Sequence, residues 1–362
     1  MKSQNSQMII EAQLKHLRAT VFGAAPGDLR RPAATWIEED LLQTERIKAL
    51  AMVLRTQGCS WVREHGGCLM CGYSKDSAPI APQPQFLLNQ FYFALEQAKN
   101  TSLSVVKIFT SGSFFDEREI PHKTRTKMLK HLSSLPSLRN VILETRPEYV
   151  KAEVIEETMQ LLGKKTLEVA IGLETSNDHL REKCIHKGFQ YQDYIQAAKM
   201  IRAHGCALRV YLLLKPPFLT EQEAIADTID SAIVAIRDGA TTVSINPVAV
   251  HKGTLLEILW KRKSYRPPWL WSVLETLEQI RKKLPPQSNV ISHPVAGGKS
   301  RGAHNCGRCD KRALHTIRTF SLTQDLDTLN DLNCDCKPLW EVIKKLEMVN
   351  QEPLLEEVIQ YS

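Results

Sequence analysis

Six apolar, β-branched runs recur along the chain, each followed by an amphipathic segment of helical period, and this alternation restricts the fold more than any other feature. The runs cover 47–55, 105–110, 140–145, 167–175, 207–214 and 241–246, and the helical segments about 85–99, 122–134, 150–163, 190–204, 220–238 and 268–284. Strand followed by helix, six times over, requires a parallel sheet with right-handed crossovers. Thr220, three residues before Glu223, predicts a capping box on the fifth helix, and Gly205 and Gly239 fall where helices should stop.

The strand faces decide between an open sheet and a barrel. In 207–215, Leu208, Val210, Leu212 and Leu214 alternate with Arg209, Tyr211 and Lys215, so one face is apolar and the other polar. Glu144 and Arg146 share a face of their strand, as do Ser244 and Asn246 on theirs. A sheet covered by helices on both sides has no room for such faces, whereas an incompletely closed barrel around a ligand does. The expected class is therefore α/β, a partial (βα)6 barrel over 45–290. An N-terminal extension over 1–44 holds a helix around 8–19, a Pro/Gly-containing loop and the acidic Glu38-Glu39-Asp40 ahead of the first strand. After Pro285 come a last short strand at 290–293, a glycine-rich loop at 297–302 and a cysteine-rich appendage, the whole C-terminal region being 291–362.

No run approaches the roughly 20 apolar residues of a membrane helix, and the first residues carry no signal-peptide pattern. A cytoplasmic protein with no membrane association is expected. Lys and Arg number 47 against 40 Asp and Glu, a formal net charge of +7, which favours a polyanionic partner without requiring one. Basic groups concentrate at Lys261–Lys263 with Arg266, at Arg281–Lys283, and at Lys299, Arg301, Arg308, Lys311, Arg312 and Arg318.

Seven of the nine cysteines fall in two tight groups, and only Cys184 and Cys206 stand apart, which is ligand-like spacing rather than a disulfide framework. The first group, Cys59, Cys68 and Cys71, follows the first predicted strand and has no fourth thiol nearby. Three thiolates can hold three irons of a 4Fe-4S cube and leave the last iron free for a small chelating ligand. A zinc site completed by His65 or a distant cysteine is the competing reading. The second group, Cys306-x-x-Cys309 with Cys334-x-Cys336, has the two close pairs of a tetrahedral site, zinc first and an auxiliary iron-sulfur centre second, with His304 as a spare ligand. Trp269 and Trp271 serve either as packing anchors or as a platform for an extruded base.

A three-cysteine loop after the first barrel strand resembles the radical S-adenosylmethionine (SAM) superfamily, although eight residues rather than the commoner three separate Cys59 from Cys68. Thr110-Ser-Gly-Ser-Phe-Phe-Asp116 lies where that superfamily meets the methionyl amino group. Glu144-Thr-Arg-Pro147 is similar to the catalytic subunit of elongator, and Gly172-Leu-Glu-Thr175 ends the strand whose polar residue commonly contacts SAM. More specifically, Arg55-Thr-x-Gly-Cys59, Gly66-Gly-Cys-x-Met-Cys-Gly-Tyr73, Pro267-Pro-Trp-Leu-Trp-Ser272 and His304-Asn-Cys-x-x-Cys-Asp310 resemble the radical-SAM subunits of archaeosine synthase, over about residues 36 to 340.

This resemblance implies a radical C–N lyase of transfer RNA. A lysine-transferring archaeosine synthase subunit joins lysine to 7-cyano-7-deazaguanine in the D-loop. The radical subunit then cleaves the lysine side chain's C–N bond to leave the amidine of archaeosine, with electrons from a donor such as a ferredoxin or flavodoxin. The implied cofactors are a 4Fe-4S cluster on Cys59, Cys68 and Cys71, SAM near Ser111, Gly112, Ser113, Glu144, Arg146 and Glu174, and zinc on Cys306, Cys309, Cys334 and Cys336. Arg146, Arg209, Tyr211, Lys215 and Asn246 are the candidates for gripping SAM's carboxylate and the substrate's amino-acid end. The alternatives are another radical-SAM modification of RNA, or a non-catalytic metal-stapled RNA-binding protein.

Overall fold

The computed structural model describes residues 2–19, 27–330 and 332–347. Part of the expected Pro/Gly-containing loop, residues 20–26, and the end of the C-terminal region, 348–362, lie outside the described residues.

The chain opens with helix α1 (Lys2–Ala19) and an antiparallel pair, β1 (Ala34–Leu42) and β2 (Glu45–Val53). A short helix α2 (Ser60–His65) and α3 (Pro84–Gln97) lead to β3 (Val105–Phe109), followed by α4 (His122–Ser133), β4 (Asn140–Thr145), α5 (Ala152–Leu162) and β5 (Thr166–Glu174). A single turn, α6 (Asp178–Leu180), runs into a π-turn at Arg181–Ile185. Then come α7 (Tyr191–Ala203), β6 (Ala207–Leu214), α8 (Glu221–Arg237) and β7 (Thr242–Pro247). Two helices, α9 (Leu255–Lys261) and α10 (Leu270–Lys283), precede β8 (Asn289–Ser292), and the chain closes with α11 (Asp310–Thr323) and α12 (Cys336–Leu346).

All eight strands form one sheet in the order β1 to β8, parallel from β2 onward, curled as a half-barrel. The six expected strands are β2 to β7, and the six expected helices match α3, α4, α5, α7, α8 and α10 to within two residues at each end. The sheet has two further strands. One is the short C-terminal β8, and the other is β1, which carries Glu38, Glu39 and Asp40 within a strand rather than ahead of one. Thr220 and Glu223 form the reciprocal capping box at α8.

The alternation along the strands sorts two environments. Leu208, Val210, Leu212 and Leu214 on β6 are fully buried in the core between sheet and helices, with Val106, Ile108, Val141, Leu143, Val169 and Ile171 from neighbouring strands. Each such side chain contributes about 1.5–3 kcal/mol by leaving water. The concave face is mixed: Ile47, Ala49, Val105, Ile142 and Ala170 form a small apolar floor. Beside it Lys107, Glu168, Arg209 and Asp40 are buried as a charged cluster. Among the described residues no helix is long and apolar enough to cross a membrane.

Candidate functional site

Strand β2 delivers the chain to the C-terminal mouth of the half-barrel, where barrel enzymes assemble their chemistry. Cys59 caps α2, and Cys68 and Cys71 follow it in a loop docked on the π-turn after β5. The Leu69 N–H donates to the Ile185 carbonyl at 2.9 Å, Trp61 Nε1–H to the His186 carbonyl at 2.7 Å, and His186 Nδ1 pairs with the Gly67 carbonyl at 2.9 Å. Such π-turns concentrate at functional sites.

Burial pushes all three thiols above their ordinary range, opposed by Arg146 at Cys59, by Lys187 at Cys68 and by Arg18 at Cys71. Buried thiols in this state become ligands when a metal takes the place of the proton. The donor set and its basic surroundings fit an anionic cluster. His65, the candidate fourth ligand of a zinc site, instead stacks on Trp61 at 4.1 Å and bonds Glu11 at 3.2 Å.

The loop after β3 lies against this group. A Cβ on Gly112 would stand 2.6 Å from the Cys59 Cα and 2.0 Å from Glu119 Oε1, so only glycine lets the two loops approach this closely. Glu119, fully enclosed, accepts from Thr56 Oγ1 at 2.5 Å and from the Ser113 N–H at 2.6 Å, and burial raises its pKa to about 7. Ser113 Oγ in turn accepts the Arg146 N–H at 2.9 Å, joining the loops of β3 and β4. The Ser111 hydroxyl donates to the Tyr73 carbonyl at 3.2 Å.

Arg146, nearly buried, reaches Glu148 at 2.5 Å and the Lys187 carbonyl at 3.0 Å. It faces the Trp61 and Phe189 rings at 5.8 and 5.5 Å. Lys187 pairs with Glu174 at 2.5 Å. The Glu144 carboxylate has no hydrogen-bond or ion-pair partner among the described residues, and burial lifts its pKa to about 8. Ser111, Gly112, Ser113, Arg146 and Glu174 are therefore linked, directly or through Lys187, to the cysteine loop, while Glu144 joins the loop after β3 through its backbone carbonyl, which accepts the Phe114 N–H at 2.9 Å.

The remaining lumen candidates sit elsewhere. Arg209 bonds Glu168 at 2.8 Å and Asp40 at 3.5 Å toward the N-terminal end of the strands. Tyr211 packs on the apolar floor, and Asn246 accepts from Ser244 Oγ at 3.2 Å. Lys215 is held by Glu221 at 2.9 Å, and that carboxylate also accepts from Ser272 at 2.5 Å. Trp269 and Trp271 are buried, with Arg266 stacked 4.0 Å over the first and the second donating to Cys336 Sγ at 3.3 Å. Neither offers a face to an extruded base.

The second cysteine group forms one compact set. Cys306, Cys309, Cys334 and Cys336 place their sulfurs within 4.8 Å of one another, with separations of 3.7 Å for 306–334 and 309–336 and 4.0 Å for 306–309. A single ion with metal–sulfur bonds of ~2.3 Å spaces tetrahedral ligands about 3.8 Å apart, so these sulfurs fit around one ion. A cube would need them further apart, because each thiolate then binds a different iron. The Asn305 amide donates to Cys309 Sγ at 3.3 Å, while His304 turns to the Gly302 carbonyl at 2.8 Å. Lys299, Arg308, Lys311, Arg312 and Arg318 are exposed around this appendage, whereas Arg301 pairs with Glu257 at 2.8 Å.

Sequence reading missed three members of the first site. Glu119 lies in an acidic stretch that reads as a surface turn, Lys187 in a loop of no marked pattern, and Arg18 on a helix assigned to an extension.

No protein-family model matches the chain. An archaeosine synthase subunit beta of Methanosarcina acetivorans is 42% identical over 322 residues, covering 89% of this chain and 92% of that protein. Another of the same name, from Thermococcus kodakarensis, is 37% identical and covers 85% and 95%. Among solved structures, the crystal structure of methylornithine synthase overlays with a TM-score of 0.50 at 11% identity, covering 97% of this chain and 90% of that one. The curled sheet is thus a fold shared with methylornithine synthase, and the chain belongs to the family of archaeosine synthase beta subunits.

Proposed function

We propose that this chain is a radical-SAM C–N lyase that completes archaeosine in the D-loop of transfer RNA, acting after a lysine-transferring partner subunit. The observation that carries the reading is the gathering of Cys59, Cys68 and Cys71 at the mouth of a half-barrel in a chain 42% identical to an archaeosine synthase beta subunit. Cys59, Cys68 and Cys71 would hold a 4Fe-4S cluster, which together with SAM would supply the one-electron chemistry that such a lyase needs.

The protein's own residues position and shield. Arg146 and Lys187 set positive charge beside Cys59 and Cys68, balancing an anionic centre. Glu119 and Ser113 brace the 110–113 loop, whose Gly112 lets it lie against Cys59. The unpartnered Glu144 carboxylate is the acceptor for a cation in the lumen, either the amino group of SAM or that of the substrate's lysine. A bound cation would draw its pKa down from about 8. Tyr211 on β6 and Asn246 near the C-terminal end of β7 are the groups offered to the substrate's amino-acid end. Arg209 and Lys215, each locked in an ion pair, fix the floor and rim of that space rather than reach into it.

Zinc is the metal we assign to Cys306, Cys309, Cys334 and Cys336, as a closed site stapling the region 291–362 onto the barrel of 45–290. The exposed cations from Lys299 to Arg318 are placed to meet phosphates of transfer RNA. The test is mass spectrometry of nucleosides from transfer RNA bearing the lysine adduct, incubated anaerobically with the protein, SAM and a reductant. Archaeosine is the expected product. An intact adduct alongside reductively cleaved SAM would assign the protein a different substrate.

A further inference from the structure

Helix α1 precedes the barrel in sequence and contributes no strand, yet it closes over the cysteine loop. Leu14 is buried against Leu69 and Leu255, and Glu11 pairs with His65. A Cβ on Gly66 would stand 2.6 Å from Leu14 Cβ and 3.1 Å from the Glu11 carbonyl oxygen, so the loop is glycine where the helix lies against it.

One side chain of α1 does more than pack. Arg18, with 4% of its surface exposed, sends its guanidinium into the loop. Its Nε donates to the Gly66 carbonyl, Nη2 to the Cys68 carbonyl, and Nη1 to the Cys71 carbonyl at 2.5 Å and to Ser74 Oγ at 3.2 Å. No carboxylate pairs with it in any described ion pair. Its charge is instead spent on backbone oxygens of two of the three candidate cluster ligands, and it opposes the rise in the Cys71 pKa. A planar fork of donors suits this task, because it fixes several carbonyls at once in one plane.

We propose that Arg18 is a positioning residue for the iron-sulfur cluster: it holds the peptides of Cys68 and Cys71 in the ligating arrangement and tunes the cluster's potential. The proposal rests on the reading that Cys59, Cys68 and Cys71 bind the cluster. Groups that orient metal ligands from behind alter metal retention by roughly 10–100-fold when removed. A positive charge held close to a cluster stabilises its reduced, more negative form, so losing that charge lowers the midpoint potential.

The experiment compares wild-type, Arg18→Ala and Arg18→Lys full-length proteins, each anaerobically reconstituted with ferrous iron and sulfide and checked for wild-type circular dichroism. Iron release to a ferrous chelator and the midpoint potential, followed by electron paramagnetic resonance, are the readouts. Arg18→Ala should release iron roughly 10-fold faster or more, with a more negative potential. Arg18→Lys keeps the charge but not the fork, so its potential should stay near wild type while its release remains fast. Wild-type release rate in Arg18→Ala overturns the proposal. Should that variant not fold, wild-type release in Arg18→Lys overturns it equally. Failure of every protein, wild type included, to take up a cluster would instead overturn the underlying cluster assignment, and the role given to Arg18 with it.

Discussion

Replacing Arg209 with leucine separates an architectural arginine from a substrate-contacting one. The charged floor of the half-barrel contains three carboxylates, Glu38, Asp40 and Glu168, and two cations, Lys107 and Arg209. Lys107 meets Glu38 at 2.5 Å and Asp40 at 2.6 Å, while Arg209 meets Glu168 at 2.8 Å and Asp40 at 3.5 Å. Arg209→Leu leaves one lysine facing three carboxylates, with only the Asn140 amide at 3.3 Å still on Glu168. Removing one partner of a buried pair costs about 3–5 kcal/mol. At about 1.3 °C per kcal/mol for 362 residues, the melting temperature should fall by roughly 4–7 °C at pH 7. Asp40→Asn is the comparison. It leaves Lys107 with Glu38 and Arg209 with Glu168, two cations for two carboxylates, and should remove the acid-sensitive part of the stability that Asp40 supplies.

The pH dependence gives a second check. Burial opposes the charged form of Asp40, but Arg209 and Lys107 hold its carboxyl well below the usual range. Its contribution is therefore present above about pH 4, the unfolded value, and is lost as pH falls toward the folded one. In Arg209→Leu the folded pKa of Asp40 rises, because one of the two cations that hold it down is gone, so protonation relieves the variant first. The gap to wild type should narrow between pH 7 and pH 5, as followed by thermal melts across that range. A variant that melts with wild type yet loses turnover would refute the architectural role and return Arg209 to direct contact with ligand.

Three further outcomes follow from the geometry. Cys309→Ala removes one of four sulfurs set around a single ion, so bound metal should drop to a small fraction by mass spectrometric metal analysis and the melt should become less stable. Glu119 has a folded pKa near 7 against about 4.3 unfolded. Its contribution is full below pH 4 and is lost as pH rises through 7, so Glu119→Gln should flatten the decline of melting temperature between pH 5 and pH 8. Replacing both Lys299 and Lys311 with alanine should weaken transfer RNA binding and reduce the slope of log affinity against log salt by roughly 1.5, measured by filter binding at several salt concentrations.

The strands and helices that pack on the outer face were legible because their signal is local. Leu208, Val210, Leu212 and Leu214 alternate within one strand, and Thr220 and Glu223 cap a helix within four residues. Strand β1 was not legible for the opposite reason. Glu38 and Asp40 point to the concave face and are neutralised by Lys107 and Arg209, which come from strands far along the chain, while Glu39 turns outward to Lys48. Three successive acids therefore read as a loop until those partners are in place. Arg18 is hidden in the same way, since its partners are backbone carbonyls that carry no residue identity. The metal-ligating cysteines stood out because their spacing is short, whereas Glu119 and Lys187 join them only through the crossovers of the barrel.

A radical lyase built on Cys59, Cys68 and Cys71 must couple two products at one site. Wild-type protein and Cys68→Ala, both reconstituted anaerobically, are supplied with SAM, a one-electron reductant and transfer RNA carrying the lysine adduct, and 5'-deoxyadenosine and archaeosine are quantified over the same time course. The two products should rise together with wild type, and neither should form with Cys68→Ala. Archaeosine formed without 5'-deoxyadenosine, or by the Cys68→Ala protein, would contradict the assignment of radical chemistry to the three-cysteine site.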